Sequence, residues 1–387
     1  MKVLFVTTGS HVTVYATAPL TTAAQNAGHE VLLATNEPLI EAVEAIGAPA
    51  VSIMPETIRH FMTAGDAQDA PGGPMDAREE MLTTGRGLAR MASAALEALL
   101  DLAEDWRPDL IVGSSMSYAA GLLATRLKVP FVRHAEYFQI PAAEIDPGAE
   151  QGLRPELDRL GLEGLPEPDL YIDVCPPSLR PPGGPEVRPM RFIPRNPQRR
   201  LEPWMYARPK DRPRVLITSG THFRMLSGES MRYLVDRLTL AGAEVLITAP
   251  KGAAEELGAG LGDVRVGWIP LDVVAPTCDL AVNHGGATTA MTIMTAGVPQ
   301  LIIPPNTHTR LIARSLADCG AALTVPPRQE RDGSASDREP AEEIAAGCRE
   351  ILSTPRYTRR AQALAKEIAT LPTPAEVVRT LETLVTA

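Results

Sequence analysis

The chain has 387 residues, 44% hydrophobic and 22% charged, which excludes global disorder and provides cores for about two or three domains without disulfides or metals. A formal charge of −10 leaves no basic face for a phosphate backbone, so nucleic acid is not an expected partner. No apolar run approaches the roughly 20 residues of a membrane span, the N-terminus lacks a signal-peptide layout, and the four cysteines (Cys175, Cys278, Cys319, Cys348) lack zinc or redox spacing; a soluble cytoplasmic protein with buried free thiols is expected.

Short apolar runs alternate with helically spaced ones in both halves, the signature of a parallel α/β fold. Strands are expected at 2–7, 30–35, 50–53, 109–113 and 130–133, with helices over 16–27, 38–46, 77–103 and 117–127. The second half repeats the pattern. Its strands read as 214–218, 243–248, 263–266, 279–282, 299–303 and 321–325, with helices near 228–241, 286–296, 308–319 and 340–352. Both halves begin alike, because Val3-Leu4-Phe5-Val6-Thr7-Thr8-Gly9-Ser10 and Val215-Leu216-Ile217-Thr218-Ser219-Gly220-Thr221 each run from a continuous apolar stretch into a hydroxyl-bearing turn. Parallel strands buried on both faces read this way, and the turn after them lies at the carboxyl edge, where such sheets bind ligands. Two doubly wound domains are therefore expected, at 1–207 and 208–387, with the C-terminal helices packing back on the first.

The 36 prolines concentrate in 141–213. Proline extends a chain and cannot continue a helix, so this stretch reads as the end of the first domain plus a semi-rigid connection ending near Arg212. Strand-like islands at 170–174 and 190–193, with Trp204 and Tyr206 expected to pack, argue against disorder. The weakly patterned segment 56–78 reads as a functional or mobile loop.

The most informative segment is 267–304. A strand (Leu280-Ala281-Val282) leads into Asn283-His284-Gly285-Gly286-Ala287-Thr288-Thr289 and a helix follows at once. Two glycines permit close backbone approach. The helix start offers unpaired N–H groups and a positive dipole end, to which His284, Thr288 and Thr289 add donors, as a pyrophosphate site requires. Glycines before a helix also serve purely steric turns, so spacing alone leaves both readings open.

The segment resembles the donor signature of family 1 glycosyltransferases of the GT-B fold. The matching residues are Gly267-Trp268-Ile269-Pro270, then His284-Gly285-Gly286 with Thr289, then Ala296-Gly297-Val298-Pro299. Pro19-Leu20 and Ala27-Gly28-His29-Glu30-Val31 match the family's first helix and second strand. Three further stretches, starting at Asp173, Gln198 and Leu271, are similar to bacterial enzymes that glycosylate aromatic polyketides of the angucycline and anthracycline type. The resemblance spans essentially the whole chain. It implies two Rossmann-like domains facing across a cleft, with a TDP-sugar as co-substrate and no cofactor. Trp268 and the backbone of Ile269 would meet the base, His284, Gly285, Gly286, Thr288 and Thr289 the diphosphate, and Ser219, Gly220 and Thr221 would close over it. Thr288 stands where relatives usually have Gly. His308 and Thr309 fall where many relatives place an Asp-Gln pair against sugar hydroxyls, a loss compatible with a deoxysugar.

By the same resemblance His11 is the base that deprotonates the acceptor hydroxyl, work that suits an imidazole. The carboxylate that usually orients it is absent from Gly113-Ser114-Ser115-Met116-Ser117-Tyr118, leaving a serine hydroxyl, water or Glu136 as its support. Phe61, Met62, Met81, Met116, Tyr118, Tyr137 and Phe138 would line a pocket for a flat apolar polyketide, although each alone reads as core. No D-x-D occurs, so no catalytic metal is expected. The reading that follows is inverting O-transfer of a deoxysugar in antibiotic biosynthesis. C-transfer to the same acceptors, a sugar-nucleotide epimerase and a non-catalytic helper of another transferase are the alternatives, and a homodimer is allowed.

Overall fold

The apolar runs form strands at every marked place except 190–193, and each strand lies parallel to its neighbours. The computed structural model describes residues 1–63, 76–135, 138, 142–180, 183–219, 226, 228–249, 261, 264–326 and 338–386. The chain divides into two units: Met1–Cys175 with Pro181–Arg195 and Leu371–Ala387, and Pro176–Arg180 with Asn196–Thr370. The linker residues 196–207 thus belong to the second unit, and the last helix, Pro374–Thr386, to the first.

The first unit holds seven strands, β1 (Lys2–Val6), β2 (Glu30–Asn36), β3 (Ala50–Met54), β4 (Leu110–Ser114), β5 (Phe131–Ala135), β6 (Leu170–Asp173) and β7 (Arg188–Pro189), in the order β3-β2-β1-β4-β5-β6-β7. Residues 190–193, expected as a strand, lie beyond the two-residue β7, and the Met190 N–H still donates to the Asp173 carbonyl of β6 (2.9 Å). One face packs under the Ala77–Asp105 helix, whose Met81, Leu88, Met91 and Leu99 meet Leu4, Val6 and Ile111 in a single core. The Ala142–Gly152 helix lies so close to this helix that a Cβ on Gly148 would collide with the Leu82 carbonyl. Truncating a core side chain such as Leu99 to Ala belongs to the class that costs about 2–5 kcal/mol.

The second unit holds six strands, β8 (Arg214–Thr218), β9 (Glu244–Thr248), β10 (Arg265–Gly267), β11 (Leu280–Asn283), β12 (Gln300–Ile302) and β13 (Ala322–Thr324), in the order β10-β9-β8-β11-β12-β13. In both sheets the order reverses beside the first strand, the doubly wound pattern. Among the described residues no helix is long and apolar enough to cross a membrane.

The amino edges of both sheets are closed by one repeated device. Asp109 donates its N–H to the Lys2 carbonyl (2.9 Å) and its carboxylate accepts the Lys2 N–H (2.7 Å). Asp169 does the same to Phe131 and Asp279 to Arg214, all at 2.8–2.9 Å. Each aspartate precedes the Leu that opens the neighbouring strand. Arg214 is also buried, pairing with Glu244 (2.7 Å) and donating to Thr277 Oγ1 (2.6 Å) and the Trp204 and Ala207 carbonyls.

On β5, His134 is fully buried and neither ring nitrogen meets a hydrogen-bond partner among the described residues. Burial pushes its pKa down to about 3. The unfolded chain therefore takes up a proton near the ordinary value of about 6.5 that the folded chain refuses. His134 costs nothing extra above that value, and stability falls as pH drops from there toward 3, by about 1.4 kcal/mol per pH unit. Replacing His134→Leu should flatten this limb; urea unfolding of both proteins at pH 7 and pH 4.5 should show the wild type losing more stability than the variant.

Candidate active site

The donor-side residues gather along one edge of the second sheet. Ser219 follows β8, Trp268 and Ile269 follow β10, His284 to Thr289 follow β11, and His308 and Thr309 lie beyond β12. Gly220 and Thr221 lie outside the described residues. The turn after β11 is built by Asn283, which the sequence reading passed over. Its buried Oδ1 accepts the Gly285 N–H (2.8 Å) while its Nδ2 donates to Gln300 Oε1 (2.9 Å), and Gln300 donates to the Ala290 carbonyl (3.1 Å). Gly285 sits at φ +81°, and a Cβ there would come within 3.0 Å of Ile302 Cγ2 and 3.2 Å of the Thr309 carbonyl. Gly286 lies under the His284 imidazole, which a Cβ would strike.

Gly286 caps the Ala287–Thr295 helix without a side-chain hydrogen bond, and no acidic residue stands in its first turn. The first N–H groups therefore remain available to an anion. The Thr288 hydroxyl is buried and makes no hydrogen bond among the described residues. Burial lowers the His284 pKa, favouring a neutral ring. The start of this helix offers donors to a polyanion with no acid in its first turn.

Thr309 departs from its expected role. Its N–H and hydroxyl form a capping box with Asn306 (2.9 and 3.2 Å) at the start of the Thr307–Asp318 helix, so its polar atoms are committed to the fold. His308 is partly exposed beside it. Trp268 is partly exposed as well, whereas the Ile269 side chain is core and its N–H donates to Thr248 Oγ1 (3.4 Å).

On the first unit, His11 opens the His11–Asn26 helix and is exposed, with Ser10 as N-cap. Its turn is set by Asn36, whose Oδ1 accepts the Gly9 N–H (3.0 Å) where Gly9 adopts φ +119°, and whose Nδ2 donates to the Glu56 carbonyl (2.7 Å). Two of the three serines in the turn after β4, Ser114 and Ser117, are engaged with each other and with Thr8. Ser117 Oγ bonds Ser114 Oγ (2.7 Å) and Thr8 Oγ1 (2.9 Å) and accepts the Thr8 N–H (3.1 Å). Glu136 and Tyr137 lie outside the described residues.

The apolar set divides. Phe61 and Met81 are spent in the first unit's core, and Met62 packs against it. Met116, Tyr118 and Phe138 share one pocket with Arg133 and Asp146, about 20 Å³ in volume, the space of one water. There Arg133 grips Asp146 through two bonds of 2.9 Å and Tyr118 donates to the same carboxylate (2.6 Å). Burial opposes charge on Arg133, but the Asp146 carboxylate outweighs it and holds the guanidinium above its ordinary pKa. Burial, aided by Asp146, raises the Tyr118 phenol well above its usual range. This triad fastens the turn after β4, because Arg133 also donates twice to the Ser115 carbonyl.

Two family models cover most of the chain: the N-terminal domain of erythromycin biosynthesis protein CIII-like proteins over 22–220, and their C-terminal domain over 232–384. The chain is 34% identical over 368 residues to an L-demethylnoviosyl transferase of Streptomyces niveus, covering 94% of this chain and 93% of the relative. It is 32% identical to the elloramycin glycosyltransferase of Streptomyces olivaceus, covering 99% and 97%. The glycosyltransferase SsfS6 of Streptomyces sp. SF2575, solved with thymidine diphosphate, superimposes with a TM-score of 0.85 at 30% identity over 99% of both chains. A pair of parallel α/β sheets, an anion-ready helix start at the edge of one of them and this breadth of similarity lead to one conclusion: the chain belongs to the erythromycin biosynthesis protein CIII-like family and is a family 1 glycosyltransferase of antibiotic biosynthesis with the GT-B fold.

Proposed function

We propose that this glycosyltransferase moves a deoxysugar from a TDP-sugar to a phenol or alcohol oxygen of an aromatic polyketide, with inversion. The observation that carries the donor half is the uncapped start of the Ala287–Thr295 helix, reached through Gly285 in a left-handed conformation. Backbone N–H groups there, with His284, Thr288 and Thr289, would hold the diphosphate, and the charge that develops on it as the sugar leaves would be stabilised by donors already in place. The thymidine diphosphate complex of SsfS6 supports TDP as the nucleotide, and the elloramycin glycosyltransferase supports a polyketide-type acceptor.

In this reading His11 takes the proton from the acceptor hydroxyl. The oxygen then bonds to the anomeric carbon from the face opposite the diphosphate, and the carbon–oxygen bond to the diphosphate breaks with its electron pair leaving on TDP. One base and one displacement give inversion. His11 suits the task because it is exposed at a helix start rather than buried, so it can meet a substrate and return its proton to water.

Replacing Gly285→Ala forces an L side chain into a left-handed turn and against Ile302, so it should abolish thermal stabilisation by TDP while the first unit stays folded; scanning calorimetry with and without TDP reads this. His11→Ala should leave TDP stabilisation intact and slow transfer by roughly 10²–10⁴-fold. Near-normal turnover in that variant would remove His11 from the mechanism. NMR of the product made from a TDP-deoxysugar and a polycyclic phenol should show an O-linked β- or α-anomer opposite to the donor's configuration.

A further inference from the structure

We infer that the stretch from Asn196 to Trp204 is a brace for Trp268, with Arg199 as a positioning residue for the nucleobase of a nucleoside diphosphate. This rests on the donor reading above. Four hydrogen bonds run between residues 196–199 and residues 268–272. The Trp268 indole N–H donates to the Pro197 carbonyl (3.4 Å) and Arg199 Nη1 donates to the Trp268 carbonyl (3.0 Å). Gln198 donates to the Asp272 carboxylate (2.8 Å), and the Asp272 N–H donates to Asn196 Oδ1 (3.1 Å).

Both polar ends of Trp268 are thus held by one short stretch of chain. With its only side-chain donor committed, the indole has its ring faces left to offer, and a ring face recognises another flat ring by stacking. Arg199 is itself steadied from behind. Glu202 pairs with it (3.5 Å), and the other Glu202 oxygen accepts the Trp204 indole N–H (3.0 Å). Trp204 lies under the Arg265 guanidinium at 4.7 Å and packs against the core that contains Ile269. The brace therefore runs from the core through Trp204, Glu202 and Arg199 to the Trp268 carbonyl, while Pro197 holds the indole N–H.

The Arg199 side chain is 43% exposed, so its loss removes little packing, and surface changes of this kind usually leave stability within about 0.5 kcal/mol. The effect should appear in nucleotide binding and not in folding. Arg199→Ala should weaken TDP binding by about 5–10-fold in calorimetric titration, the worth of one hydrogen bond, with an unchanged melting temperature. KM for the sugar donor should rise by the same factor while kcat and KM for the acceptor stay put. Arg199→Lys, which keeps one donor, should recover part of the loss. In a Trp268→Ala background, Arg199→Ala should change TDP affinity no further, because the brace acts through the indole. Unchanged TDP affinity in Arg199→Ala, or additive losses in the double variant, would overturn the assignment. Failure of the wild type to bind TDP at all would instead overturn the donor reading, and the brace with it.

Discussion

A parallel strand delivers its chain to the carboxyl edge of a sheet, and the chain must then turn without burying unpaired N–H groups. Both sheets meet this constraint in the same way. An asparagine at the end of a strand accepts the N–H of a glycine that has swung to positive φ, Asn36 to Gly9 in the first sheet and Asn283 to Gly285 in the second. Each asparagine is nearly inaccessible and spends its amide donor on a second partner, so the turn is fixed from behind. His11 stands two residues beyond the first of these glycines, and the Ala287–Thr295 helix starts two residues beyond the second.

The two edges differ in what they leave available. The second presents backbone N–H groups, a neutral imidazole and an unspent hydroxyl, with no carboxylate in the first helical turn. A chain of net charge −10 repels a diphosphate at long range, so capture has to come from donors arrayed at short range. The first edge holds a largely buried charge pair, Arg133 with Asp146, as a fastening for the turn after β4. Leaving either partner alone would strand a buried charge, which is why such pairs hold geometry better than they add stability.

Strands and most helices were readable because each follows from local apolar spacing. The glycine turn into the Ala287–Thr295 helix was readable too, since two glycines and a helix start stand together in the chain. Asn283 carries a local signal as well, an asparagine ending an apolar run two residues before a glycine, yet its dependence on Gln300 is not local. Asn36 acts on Gly9 across 27 positions, and nothing near either residue announces the pairing. The apolar set failed in part for the opposite reason. Phe61 and Met81 carry the same chemistry whether they line a pocket or fill a core, and only packing decides. Thr309 looked like a ligand because of its place, whereas the Asn306 three residues before it had already claimed it as a cap.

The aspartate clasps at the amino edges have a consequence for how such a scaffold can change. Asp109, Asp169 and Asp279 each lock two adjacent strands by two bonds at the first residue, so pairing is registered before the strands reach their far ends. A slip of one residue would turn every side chain of a strand to the wrong face, and the clasps make that error costly from the opposite end of the sheet to the ligands. Loops at the carboxyl edge can then lengthen, shorten or exchange side chains without carrying any responsibility for alignment. Precision is stored at one rim, and the other is left free to be rewritten for new sugars and new acceptors.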